Sequence, residues 1–179
     1  MTLGALASGC GGGGGGSSAG STSTTTTGET PVVQWADSFC KAFTSWQDQL
    51  TTIGKDVVSS PSKDGLQKAA NDVKTANQTL ADDLKALGKP DTPSGDKVQQ
   101  SVSDLSTTLN TQVTDIEDAA KNASGITGIA SAITSISASI TTMGNALAST
   151  VTTINNADAK GEMKTAFDQA PSCSKFRSS

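Results

Sequence analysis

The chain has 179 residues, a net charge of −4, and neither histidine nor tyrosine. Acidic and basic residues are interspersed, so no basic stripe is available to neutralise phosphates, and nucleic acid is not an expected partner. Without histidine the commonest general base and the commonest neutral metal ligand are missing, and no catalytic residue, metal or cofactor is expected.

The first recognisable signal is Leu6-Ala7-Ser8-Gly9-Cys10. It resembles a bacterial lipobox, in which small residues precede a cysteine that is diacylated and becomes the mature N-terminus. Residues 1–9 then read as the remnant of a lipoprotein signal peptide. They carry no Lys or Arg, and a full secretory signal runs to ~15–30 residues, so the true translation start is expected upstream of Met1. Residues 10–29 follow as a tether, because Gly11 to Gly28 contains only Gly, Ser, Thr and Ala and has nothing with which to bury apolar surface. As a random coil such a segment spans ~25 Å.

From Thr30 the pattern turns helical, and residues 30–179 read as one domain. Trp35, Phe39, Phe43, Trp46, Leu50, Ile53 and Val57 recur at spacings of three and four, which places them on one helix face. Leu66, Ala70, Val73, Asn77, Leu80, Leu84 and Leu87 repeat the step with one polar break. Val98, Val102, Leu105, Leu109, Val113 and Ile116 form a third stripe. Ile126, Ile129, Ile133, Ile136, Ile140, Met143, Leu147, Val151 and Ile154 form a fourth, the most regular. Thr30-Pro31, Ser60-Pro61 and Thr92-Pro93 each put a hydroxyl cap before a proline at the first helical position, and Gly88 before Lys89-Pro90 reads as a stop. A brief fifth helix is expected from about Asp158 to Gln169.

Four stripes of similar length joined by short connections predict an all-α fold, an up-down-up-down four-helix bundle with a short C-terminal fifth helix. In that arrangement the tail returns beside the first helix, where Cys40 and Cys173 can form a disulfide that leaves Cys10 as the odd cysteine. The loop so closed is long, and chain entropy assigns it up to ~5 kcal/mol.

Two further features have both a structural and a functional reading. Trp35, Phe39, Phe43 and Trp46 are either core or a face for a small apolar ligand or an envelope protein. Between Lys121 and Asp158 there is no charged residue, so helix 125–154 is a closely packed bundle helix, a partner-binding face, or an element that inserts into a membrane. Asp82-Asp83 and Asp115-x-Glu117-Asp118 lack calcium-loop spacing and read as solvated helix faces. Gly16-Ser17-Ser18-Ala19-Gly20 and Ser60-Pro61-Ser62-Lys63 satisfy hydrolase patterns formally. No histidine serves the first, and the partner motifs of the second are absent.

The lipobox, the Ser/Thr/Gly tether, Trp35-x-x-x-Phe39-Cys40 and the tail Phe167-Asp168-Gln169-Ala170-Pro171-Ser172-Cys173 together resemble small secreted lipoproteins of actinobacteria. That resemblance implies a helical domain held at the extracytoplasmic face of the cell membrane by lipid on Cys10. It brings no functional residues with it. The function expected from the sequence is a non-catalytic binding module for an unidentified envelope protein or small apolar ligand, or else a membrane-active protein that inserts helix 125–154.

Overall fold

The computed structural model describes residues 30–59 and 61–176, so Cys10, the tether and Ser60 lie outside the described residues. Five α-helices follow in order: α1 (Pro31–Ser59), α2 (Lys63–Leu87), α3 (Gly95–Asn122), α4 (Gly125–Ala157) and α5 (Glu162–Gln169), with a 3-10 turn at Pro171–Phe176. The described residues contain no strand. The fold is an all-α bundle in which sequential helices run antiparallel. Trp35 meets Gly88 near one end of the α1/α2 pair while Trp46 meets Asn77 further along it, and Lys74 of α2 reaches Glu117 of α3.

The four stripes become one continuous core. Every member of the first is buried, from Trp35 to Val57. On α2, Leu66, Ala70, Val73, Leu80 and Leu84 are buried, and so are Val98, Leu105, Leu109, Val113 and Ile116 on α3. Each large apolar side chain so enclosed contributes ~1.5–3 kcal/mol. The polar break at Asn77 also lies inside, 5% exposed. Its Oδ1 accepts the Trp46 indole N–H at 2.7 Å, and its Nδ2 donates to the Leu109 carbonyl at 3.2 Å. Three helices are thereby tied by one amide, with no polar atom of Asn77 or Trp46 left unpaired.

The helix starts depart from expectation at two points. Thr30 caps α1 as expected, accepting from the Val33 N–H. α2 starts at Lys63 rather than at Pro61, and the hydroxyl that caps it belongs to Ser62, which accepts from the Gly65 N–H at 3.0 Å. α3 starts after Ser94 rather than after Thr92, whose hydroxyl instead bonds that of Ser94. At both helices the later start brings an acidic residue into the first turn, Asp64 and Asp96, where the helix dipole favours it. The α2–α3 connection is tight. A Cβ at Gly95 would strike the Pro90 carbonyl oxygen, so only glycine fits there. Gly88 ends α2 with φ +61°, as its type suggested.

The fourth stripe is only partly a core stripe. Ile136, Met143, Leu147, Val151 and Ile154 are buried, Ile129, Ile133 and Ile140 are half-buried, and Ile126 is 91% exposed. Register explains the gradient. Gly54 lies against Ile140; beyond that level α1 continues for five residues, whereas α4 continues for fifteen toward its N-terminus. The first ten residues of α4, ~15 Å of helix, therefore have no α1 beside them.

The Asn77 relay carries a quantitative expectation. Asn77→Ala strands the Trp46 N–H and opens a cavity, so denaturant unfolding should show a loss of ~2–4 kcal/mol. Trp46→Phe combined with Asn77→Leu removes both halves of the pair and should cost less than the sum of the single changes; strict additivity in that cycle would show that the two side chains are not coupled.

Candidate interaction surfaces

The aromatic residues on α1 form a buried ladder. Trp35 stacks on Phe39 at 5.1 Å between ring centroids, Phe39 meets Phe43 at 4.6 Å, and Phe43 stands edge-on to Trp46 at 6.2 Å. Phe167 of α5 closes on Phe39 edge-to-face at 5.6 Å. Trp35 is 8% exposed, and Phe39, Phe43 and Trp46 are 1% or less. The structure thus brings all four residues together, but as packing between helices and not as a face open to a ligand or partner. The polar tips of both tryptophans are spent internally, Trp35 on the Gly88 carbonyl at 3.0 Å and Trp46 on Asn77.

The tail is clamped onto α1 beside this ladder. Cys40 and Cys173 form the expected disulfide, with Cα atoms 5.1 Å apart and the two residues 133 positions apart in sequence. Next to it the Ser172 N–H donates to the Asp37 carboxylate at 2.8 Å, and Lys41 pairs with the same carboxylate at 2.7 Å. Burial raises the Asp37 pKa, but these donors outweigh it and hold the carboxyl below the usual range. At the other end of α5, Asp158 accepts from the Met163 N–H at 2.9 Å and the Lys160 N–H at 3.0 Å, doing the work of an N-cap from three residues before Gly161. The Met163 bond is the largest influence on Asp158; against the opposing effect of burial, it and the Lys160 and Glu162 amides keep that carboxyl below its ordinary value. Neither Asp37 nor Asp158 had a sequence signature, since each depends on a backbone amide that the fold supplies.

With the aromatics and cysteines inside, two features remain at the surface. One is an open groove of about 940 Å³ between α1, α2 and the tail turn. Its walls carry Lys41, Lys68 and Lys175 together with Asp48, Asp56 and Asp72, and pairs such as Lys68–Asp72 and Lys175–Asp48 cancel locally. No aromatic side chain lines it, so it offers neither a single charge sign nor a stacking platform. The acidic clusters flagged in the sequence behave as solvated faces. Asp82, Asp83, Asp115 and Asp118 are exposed, and Glu117 pairs with Lys74. Among the described residues no three His, Cys, Asp or Glu side chains converge as a metal site would require.

The other feature is the outer face of α4. This is the only described helix with no charged residue, and its solvent side presents Thr127, Ala130, Thr134, Ala138, Thr141 and Asn145. Several of its threonine hydroxyls are turned back on the helix: Thr134, Thr141, Thr142, Thr152 and Thr153 donate to the carbonyl four residues earlier at 2.9–3.2 Å, leaving methyl groups outward. By length and composition α4 is apolar enough to cross a membrane, and only 22% of its most apolar stretch is buried.

Two measurements probe the clamp and the cap. Replacing both bridge cysteines, Cys40→Ala with Cys173→Ala, should cost ~2–5 kcal/mol in denaturant unfolding; an unchanged midpoint would mean that the bridge closes nothing. Asp37 and Asp158 are depressed in the folded state, so below their unfolded values the folded chain binds fewer protons than the unfolded one. Their stabilisation is complete above about pH 4 and is lost as the pH falls through the folded values. The thermal midpoint should drop on acidification below about pH 4, and Asp158→Asn should shrink that drop. No protein-family model, curated protein or solved structure matches this chain.

Proposed function

We propose that this protein is an extracytoplasmic lipoprotein, anchored in the cell membrane through lipid on Cys10, whose helical domain binds rather than catalyses. The observation that carries the binding reading is the outer face of α4, long, uncharged and largely uncovered. A water-facing helix ordinarily carries charge on its exposed side, as α1, α2 and α3 do. The anchor is supported by the lipobox-like residues Leu6 to Cys10 and by the disulfide, which occupies the other two of three cysteines and belongs to an oxidising compartment. The absence of histidine, together with described carboxylates that are either solvated or committed to helix caps and ion pairs, supports a non-catalytic role.

A second reading, that α4 leaves the bundle and inserts into the bilayer, is favoured by its length and composition. The buried half of its Ile stripe argues for the folded, surface-presenting form, because withdrawal would uncover Ile136, Met143, Leu147, Val151 and Ile154 on α4 and the core they close.

Metabolic labelling with a palmitate analogue tests the anchor. Label should appear on the chain expressed from its native gene and vanish in Cys10→Ala, with the protein released from the membrane fraction; label that persists in Cys10→Ala would remove the proposal. Release of an encapsulated dye from liposomes by the non-acylated chain would support insertion of α4, and intact vesicles would eliminate it.

A further inference from the structure

We infer that the occupant of the α4 outer face is the lipid surface itself, with the folded domain lying on its side against phospholipid headgroups along α4. The inference rests on the anchoring reading above for its strength, and on three observations for its geometry.

The first is charge. Every other described helix presents carboxylates or lysines to solvent, while α4 presents none over 33 residues, ~50 Å of helix. On an anionic or zwitterionic surface, a face without carboxylates approaches with no like-charge repulsion and gives up no ionic hydration. The nearest charges fall at its two ends. The charges there are mixed: Lys121 at the end of α3 pairs with Asp118 at 3.7 Å, and exposed Lys160 and Glu162 follow α4, while the Asp158 carboxylate is turned inward onto backbone amides. The second is hydrogen bonding. Thr134, Thr141, Thr142, Thr152 and Thr153 have already satisfied their donors within the helix, so the face can lose water without stranding them. The third is what the face lacks. Protein interfaces are anchored by Trp, Tyr and Arg, and α4 has none of these; both tryptophans of the chain are in the core. Half-exposed Ile129 and Ile133 and fully exposed Ile126 supply apolar contact at the end that α1 leaves uncovered.

Nineteen residues separate Cys10 from Thr30. A chain of that length can span at most ~65 Å, so lipid on Cys10 would confine the domain near the bilayer at an effective concentration in the millimolar range. A face with only millimolar affinity for lipid is then substantially engaged, which is why a mild Ser/Thr/Ala surface suffices where an untethered protein would need a strongly amphipathic helix.

The test uses the whole chain with Cys10→Ser, so that it does not depend on acylation, and a bimane label on one introduced cysteine, Thr141→Cys on α4 or Thr79→Cys on the exposed side of α2. The probe is a vesicle of phosphatidylcholine and phosphatidylglycerol bearing headgroup nitroxide. The Thr141→Cys label should be quenched with half-saturation at millimolar lipid, and the Thr79→Cys label should not. Adding Ala138→Asp should weaken the interaction about tenfold with the helical circular dichroism unchanged. Equal quenching of both labels, or none at either, overturns the inference. Quenching of the α4 label by nitroxide deep in the acyl chains, with dye release, overturns it in favour of insertion. Absence of lipid quenching together with a dimer in sedimentation equilibrium that Ala138→Asp dissociates overturns it in favour of a second copy. Loss of palmitate labelling with headgroup quenching intact would remove the anchor and leave the face; labelling without quenching would do the reverse.

Discussion

Asn77 must satisfy an amide inside an apolar bundle, and it does so with partners on two other helices. The Trp46 indole reaches it from α1 and the Leu109 carbonyl from α3. Apolar stripes alone leave the relative rotation and sliding of helices weakly determined, because one Leu or Val contact replaces another at little cost. A buried amide removes that freedom, since a shift of a single residue leaves a donor or acceptor unpaired at ~1–3 kcal/mol each. The depth of Trp46, and with it the phase of the whole aromatic ladder on α1, follows from this one position. So does the placement of Phe39, which is where α5 docks through Phe167.

Around that fixed point the C-terminal segment is held by devices that need each other. α5 has only eight residues, too few to be stable alone. Asp158 satisfies amides at its start, Phe167 buries against Phe39, and the disulfide, together with the Ser172 amide on Asp37, fixes the turn that follows. Each contribution is modest, and their common effect is to turn a short, fray-prone helix into a lid on the aromatic end of α1.

The stripes on α1, α2 and α3 were legible because a 3.6-residue period of large apolar residues has one economical solution in a bundle, and the cysteine pairing followed from the return of the tail. The helix starts were legible only where a single hydroxyl was available. Thr30 has no rival, but α2 starts at its second nearby hydroxyl, Ser62, and α3 starts after Ser94, whose hydroxyl bonds that of Thr92 and caps no amide; both starts have an acidic residue in the turn that follows. Periodicity could not show that Ile126 faces water, since exposure there depends on how far α1 extends beside α4, a property of two helices and not of one. Of the candidate surfaces, the charge-free run of α4 was visible in the sequence, whereas the aromatic face was ambiguous until burial decided it: the same four residues at the same spacing serve as core or as ligand wall.

That asymmetry bears on why α4 can dispense with charge at all. The charge of the described domain is carried by the other helices, whose lysines and aspartates surround the groove and the α2–α3 seam. Relieved of that role, α4 is constrained on its inner side by packing and on its outer side only by the requirement that its polar atoms be satisfied, which threonine meets with its own backbone. Those threonines can exchange water for another outer neighbour without stranding a donor. On the reading proposed above, the anchor and the face act together, lipid on Cys10 supplying the local concentration that a weak contact along α4 needs.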